Sequence, residues 1–125
     1  MNGKHLEGKG IFDYDYKHDI IFFKIREREY AKSIELDNIV IDIDKDSFIV
    51  GVQIFEASKF LHVSKSNLMN IPKWRFNAKV EGGKIEVRLD FQMIIRNKIV
   101  EKNPIVIQPT YDHLPDSEMI CEVPY

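Results

Sequence analysis

The chain has 125 residues, 44% of them apolar and 30% charged, which suits one folded domain and argues against a disordered chain. Its single cysteine, Cys121, rules out an internal disulfide and points to a reducing compartment, the cytoplasm. The net charge of −2 hides an asymmetry: residues 13–46 hold ten acids against six bases, residues 59–103 ten bases against four acids, and residues 104–125 four acids and no base.

Residues 1–10 are polar and glycine-rich and read as loose, without the apolar stretch of a signal peptide. No apolar run approaches the ~18 residues of a membrane-spanning helix. A first strand is expected over 10–14. Asp15 to Asp19 then forms a turn, because Asp side chains bond nearby backbone N–H groups. Residues 20–26 read as a strand with apolar residues on both faces, and 30–36 as a more exposed one. A hairpin with a four-residue loop at Asp44–Ser47 pairs Ile43 with Phe48, Ile41 with Val50 and Ile39 with Val52. Gly51 has no side chain, so something can pack closely over it. The period changes at 56–61, which predicts a short helix anchored by Phe55, Phe60 and Leu61. Residues 64–72 read as a linker or a second helical turn capped by Ser64 or Ser66 and stopped by Pro72.

The second half is a β-meander. Glu81-Gly-Gly-Lys84 signals a two-residue hairpin turn, because glycine accepts the positive φ such turns need. The pairing then places Trp74 opposite Phe91, Phe76 opposite Leu89, Ala78 opposite Val87 and Val80 opposite Ile85 on a wholly apolar face. The other face sets Arg75 against Asp90, Lys79 against Glu86 and Glu81 against Lys84, so both faces agree on one register. A further turn near Asn97-Lys98 leads to a return strand over 99–108, which Asn103-Pro104 interrupts, as at an edge or bulge. Residues 109–125 hold three prolines and four acids and read as irregular, pinned by Met119, Ile120 and Val123.

Three clusters carry types of residue used in chemistry. Asp42, Asp44 and Asp46 alternate as do the first ligands of a calcium loop, but Ser47 and Gln53 stand where that loop needs Gly and Glu. Asp15, His18 and Asp19 place a histidine between two carboxylates, a pattern open to ligand binding, metal binding or general-base chemistry. Tyr111-Asp112-His113 and Cys121 lack zinc spacing but leave a Cys/His pair open. Lys59, Lys65, Lys73, Lys98 and Lys102 could contact a polyanion such as nucleic acid. Against this, several basic residues of the meander have acidic cross-strand partners. The glycines form no phosphate-binding loop, and no cofactor is implied.

Residues 14–59 resemble a family of small bacterial and archaeal proteins known as domain-of-unknown-function family 2283. The resemblance rests on Tyr14-Asp15, Asp19, the strand Ile21 to Ile25, Glu35, Asp42-Ile-Asp44, Gly51-Val-Gln-Ile54 and Ala57-Ser58-Lys59. Two positions depart from the family pattern, Ser47 for its turn glycine and Gln53 for its glutamate. The resemblance implies a fold unit without an established activity. Some relatives are similar to small proteins found beside toxin-like nucleases, which implies a basic protein partner.

The expected fold is therefore α+β and mostly antiparallel β. It has about seven or eight strands in one curled sheet or two packed sheets, with one or two short helices. A β-rich unit over 11–71 ends in a short helix, and a meander with its tail over 72–125 shares its core. The expected function is a non-catalytic protein-binding or structural module that forms homo-oligomers. A small metal-dependent enzyme built on the Asp/His turns, and nucleic-acid binding, are the alternatives.

Overall fold

A computed structural model of the chain describes residues 4–110 and 113–123. The strands are β1 (Lys4–Asp15), β2 (Ile20–Ile25), β3 (Lys32–Leu36), β4 (Ile39–Ile43), β5 (Ile49–Ile54), β6 (Trp74–Glu81), β7 (Lys84–Ile95), β8 (Lys98–Lys102), β9 (Ile105–Pro109) and β10 (Ser117–Val123). Two short helices, α1 (Ala57–Leu61) and α2 (Lys65–Leu68), lie between β5 and β6. The strands form one sheet in the order β3-β4-β5-β2-β1-β10-β6-β7-β8, with β9 also on β7. The sheet curls so that its two halves face each other across one core. The Phe23 ring of β2 lies 5.3 Å from the rings of both Trp74 and Phe76 on β6. Phe12 joins them, 5.0 Å from Trp74 and 5.2 Å from Phe23, and such aromatic pairs add ~0.5–1.5 kcal/mol each beyond their buried area.

The sheet differs from the expectation in two ways. It has ten strands rather than seven or eight, and it is mixed, because β1 and β10 run parallel. The added strands are β10 and the division of the return strand into β8 and β9, and the parallel pair is made by segments read as loose or irregular. Residues 4–9 pair with β10, then residues 10–15 change partner and pair with β2. Gly10 stands at that change of partner. A methyl there would come within 2.6 Å of Val123 Cγ2 and 2.9 Å of Cys121 Sγ, so glycine lets the seam close. The segment 117–123 is a central strand. Ser117, Met119 and Cys121 are buried from it, and it joins β1 to β6. The tail's prolines flank this strand rather than interrupt it.

The β6–β7 hairpin has the expected register, from Trp74 opposite Phe91 to Glu81 opposite Lys84. Gly82 and Gly83 carry φ values of 56° and 77°, the doubly left-handed geometry of a type I′ turn. On its outer face Lys79 Nζ stands 3.6 Å from Glu86 and also 3.6 Å from Glu81. The return strand runs along β7 in one unbroken register, as β8 and then β9, with Asn103-Pro104 between them at the sheet edge.

The β4–β5 hairpin departs from the expected register by two residues at Ile39 and Ile41 and by one at Ile43, which pairs with Ile49, so that Ile49 joins the core and Val50 faces the other way. Ile41 pairs with Val52 and Ile39 with Ile54, and the register shifts next to Ile43. The cause is the turn. Asp44 and Phe48 pair through their backbones, Asp44 N donating to Phe48 O at 3.0 Å, which leaves a three-residue loop. Ser47 completes it at φ 68°. The extra residue is absorbed at Val50. Helix α1 forms where expected, and Ser64 caps α2 by accepting from Asn67 N at 3.2 Å. Among the described residues no helix is long and apolar enough to cross a membrane.

Candidate functional site

The face of the β3-β4-β5-β2 half turned away from the core carries one cross-strand row, Ser33–Asp42–Gly51–Lys24. Asp42 is only 7% exposed although it points away from the apolar core. Ser33 Oγ donates to its Oδ1 at 2.7 Å. Its Oδ2 lies over Gly51, where a methyl would stand 3.0 Å from it and 3.2 Å from the Phe23 carbonyl. The sequence expectation that something packs over Gly51 is met by this carboxylate. The row floors a pocket of about 210 Å³, with Phe22, Tyr30 and Val50 as apolar walls and Gln53 as a further polar group. Lys24 lines the same pocket. Neither Asp42 Oδ2 nor Lys24 Nζ has a hydrogen-bond or ion-pair partner among the described residues.

The other two aspartates of the alternating set serve the turn. Asp44 is buried; its Oδ1 accepts from Asp46 N at 2.9 Å and Phe48 N at 3.0 Å. Its Oδ2 accepts from Arg28 Nη1 at 2.7 Å, and Arg28 also lies 3.4 Å from Asp46 and over the Phe48 ring. A guanidinium thus already neutralises this end of the set. Asp42 belongs to the pocket, while Asp44 and Asp46 belong to the Arg28 turn. Among the described residues no group of three or more His, Cys, Asp and Glu is placed to hold a metal ion.

The first acidic turn is also consumed by structure. Asp15 accepts from His18 N at 3.0 Å and lies 2.8 Å from His18 Nδ1. The backbone bond first, then the contact with the ring, lowers the Asp15 pKa. Asp19 accepts from Tyr14 Oη at 2.7 Å, from Ser58 N at 3.0 Å and from Ser58 Oγ at 2.6 Å. It ties the turn to the start of α1. Burial opposes the charged form of Asp19, but the bonds from Ser58 and Tyr14 outweigh it, and its pKa is lowered. Tyr14 is pushed the other way, by burial first and then by its bond to Asp19.

The two acidic turns do not meet. Ile21, beside the first turn, pairs with Ile54 at the end of β5, whereas the Asp44–Ser47 turn precedes β5. The length of β5 separates them, so no single cleft gathers Asp15, His18, Asp19, Asp42 and Asp44. The lysines are dispersed as well. Lys59 lies on α1, and Lys65 on α2 donates to Tyr16 O at 3.2 Å. Lys73 Nζ is 3.3 Å from Glu122, and Lys98 and Lys102 sit at the two ends of edge strand β8. Tyr111 and Asp112 lie outside the described residues. His113 is exposed, and Cys121 is buried in the core, where desolvation and the nearby Glu122 charge push its thiol up to about 12.

Sequence reasoning found Asp42 and Gly51 but not Lys24, Tyr30, Ser33 or the role of Arg28. The alternation of β2 placed Phe22 and Lys24 on one face. Only the strand order brings that face beside Asp42.

Residues 11–58 match the family described as "Protein of unknown function (DUF2283)". The chain is 38% identical over 93 residues to a Methanosarcina mazei protein named "Putative hypoxanthine phosphoribosyltransferase", covering 73% of this chain and 74% of that protein. It is 30% identical over 95 residues to an uncharacterised protein of Methanocaldococcus jannaschii, covering 75% of this chain and 82% of that one. No solved structure matches the chain. Both alignments are longer than the 11–58 segment, so the likeness extends beyond the part of the fold that holds the Asp42 pocket. The chain belongs to the family of proteins of unknown function DUF2283, whose pattern it carries in residues 11–58.

Proposed function

We propose that the protein is a non-catalytic binding module that self-associates through the outer face of β7, β8 and β9. One observation carries this reading. Ile94 and Ile99 are cross-strand partners, yet they are 71% and 72% exposed. Ile105 and Ile107 lie further along the same side, opposite Arg88 and Glu86 and beyond the Gln92–Glu101 pair, and are also exposed. Isoleucines paired in the open on an edge strand are an apolar surface that gains by being covered. The occupant is a second copy. Among the described residues β8 and β9 pair with no strand but β7, and such an edge can complement itself across a two-fold axis.

The acidic and basic side chains support the same reading, since many of them hold turns and strands in register. The transferase named for the Methanosarcina relative does not fit as well. Phosphoribosyl transfer needs a cradle for pyrophosphate. The described glycines serve a strand seam, a pocket floor and a hairpin turn. A heterologous basic partner, the other form of the module reading, would leave the pure protein monomeric.

Light scattering on the purified chain tests the proposal. The expected mass is twice the 14.7 kDa of one chain, falling to one chain for Ile99→Glu with an unchanged thermal melt. A wild-type monomer at the highest soluble concentration overturns it.

A further inference from the structure

We propose that the Asp42 pocket binds a small zwitterion of the amino-acid class, its ammonium on Asp42 and its carboxylate on Lys24. The site is separate from the β7–β9 face and does not depend on self-association.

Asp42 is more than nine-tenths buried, and one of its oxygens is already held by Ser33. The other faces the pocket with nothing bonded to it among the described residues. This oxygen is not sealed from solvent but opens into the pocket, within reach of a bound donor; among the described residues the fully enclosed side-chain polar atom without a partner is Trp74 Nε1. The pocket has a second unpaired charge of opposite sign. Lys24 lies on the same row, two strands from Asp42, with Gly51 between. Adjacent strands are ~4.8 Å apart, which sets the two Cα atoms about 10 Å apart, close enough for one small molecule to reach both side chains.

That pairing selects the ligand. A simple cation would satisfy Asp42 but sit beside Lys24. A simple anion would do the reverse. A divalent metal ion needs more oxygens than one carboxylate supplies. A molecule carrying both charges a few bonds apart answers both walls, with charge-assisted hydrogen bonds at each end. Gly51 lets the Asp42 carboxylate lie across the floor, and Tyr30 and Phe22 give an apolar surface for the body of the ligand. At about 210 Å³ the pocket falls below the ~300–1,000 Å³ of sites for drug-sized ligands, which favours a molecule of amino-acid size.

The test is a titration of ¹⁵N-labelled protein, followed by the amide signals of Gly51 and Gln53. The probes are L-leucine, L-phenylalanine, L-serine and γ-aminobutyrate, with butylamine and butyrate as single-charge controls. At least one zwitterion is expected to saturate these signals, and neither control to do so. Asp42→Asn keeps an acceptor for Ser33, so the fold holds, and binding should weaken about tenfold or more, as for one lost charge-assisted bond. Lys24→Met should weaken it similarly. No saturation by any of the four zwitterions overturns the proposal. So does butylamine binding as tightly as the best of them, or affinity unchanged in Asp42→Asn.

Discussion

Asp19 accepts three hydrogen bonds, from Tyr14 and twice from Ser58, and so fixes where the first turn meets α1. Its removal should be felt in stability. Asp19→Ala is expected to lower the unfolding free energy by about 2–3 kcal/mol in urea, since buried donors lose a charged acceptor. The pH dependence follows from the two shifted groups. Asp19 has its pKa lowered from an ordinary 3.8, so its contribution is complete above that value and is lost as pH falls through the lower folded one. Tyr14 has its pKa raised from an ordinary 10.0, so its contribution is complete below pH 10 and is lost as pH rises beyond it. One bond therefore shapes both limbs of the stability curve. Tyr14→Phe should flatten the alkaline limb, and Asp19→Asn the acid limb, in denaturation series across pH. The sequence marks Asp19 as a polar residue of interest, but Ser58 is 39 positions away. A contact at that distance is set by the meeting of two elements, which the local pattern around Asp15–Asp19 does not encode.

At the scale of elements, the two central hairpins show when a register can be read. In β6–β7 the apolar face and the charged face both restrict the pairing, and only one alignment satisfies Lys79 with Glu86 as well as Trp74 with Phe91. In β4–β5 Ile39, Ile41 and Ile43 meet apolar partners in the expected register and in the observed one, so the apolar face alone does not choose between them. The turn decides, through Asp44 and the left-handed Ser47. Serine pays a conformational penalty at φ 68° that glycine does not. Ser47→Gly is expected to stabilise the protein by about 0.5–1 kcal/mol, read as a higher urea midpoint with an unchanged slope. A lower midpoint would show that the serine makes a compensating contact.

For the molecule as a whole, the buried residues of the family segment 11–58 belong to one cluster with those of the later strands. Phe23 lies against Trp74 and Phe76, and β10 holds the two halves side by side. A fragment of residues 11–71 is expected to lack dispersed amide signals and a cooperative melt, whereas the full chain unfolds in one transition. A folded fragment would instead show two separable units. The apolar faces of β2 and of the β6–β7 hairpin were legible from their alternation. The mixed sheet was not, because a parallel pair between residues 4–9 and 117–122 leaves no turn between its strands to announce it. That pair also imposes an order on synthesis. As the chain leaves the ribosome, β1 and β6 are both made with one edge bare, and the strand that fits between them emerges more than thirty residues after β6 ends. The nascent protein must hold a slot open for its last strand, and any chaperone or neighbouring polypeptide that reaches that slot first competes with the protein's own β10.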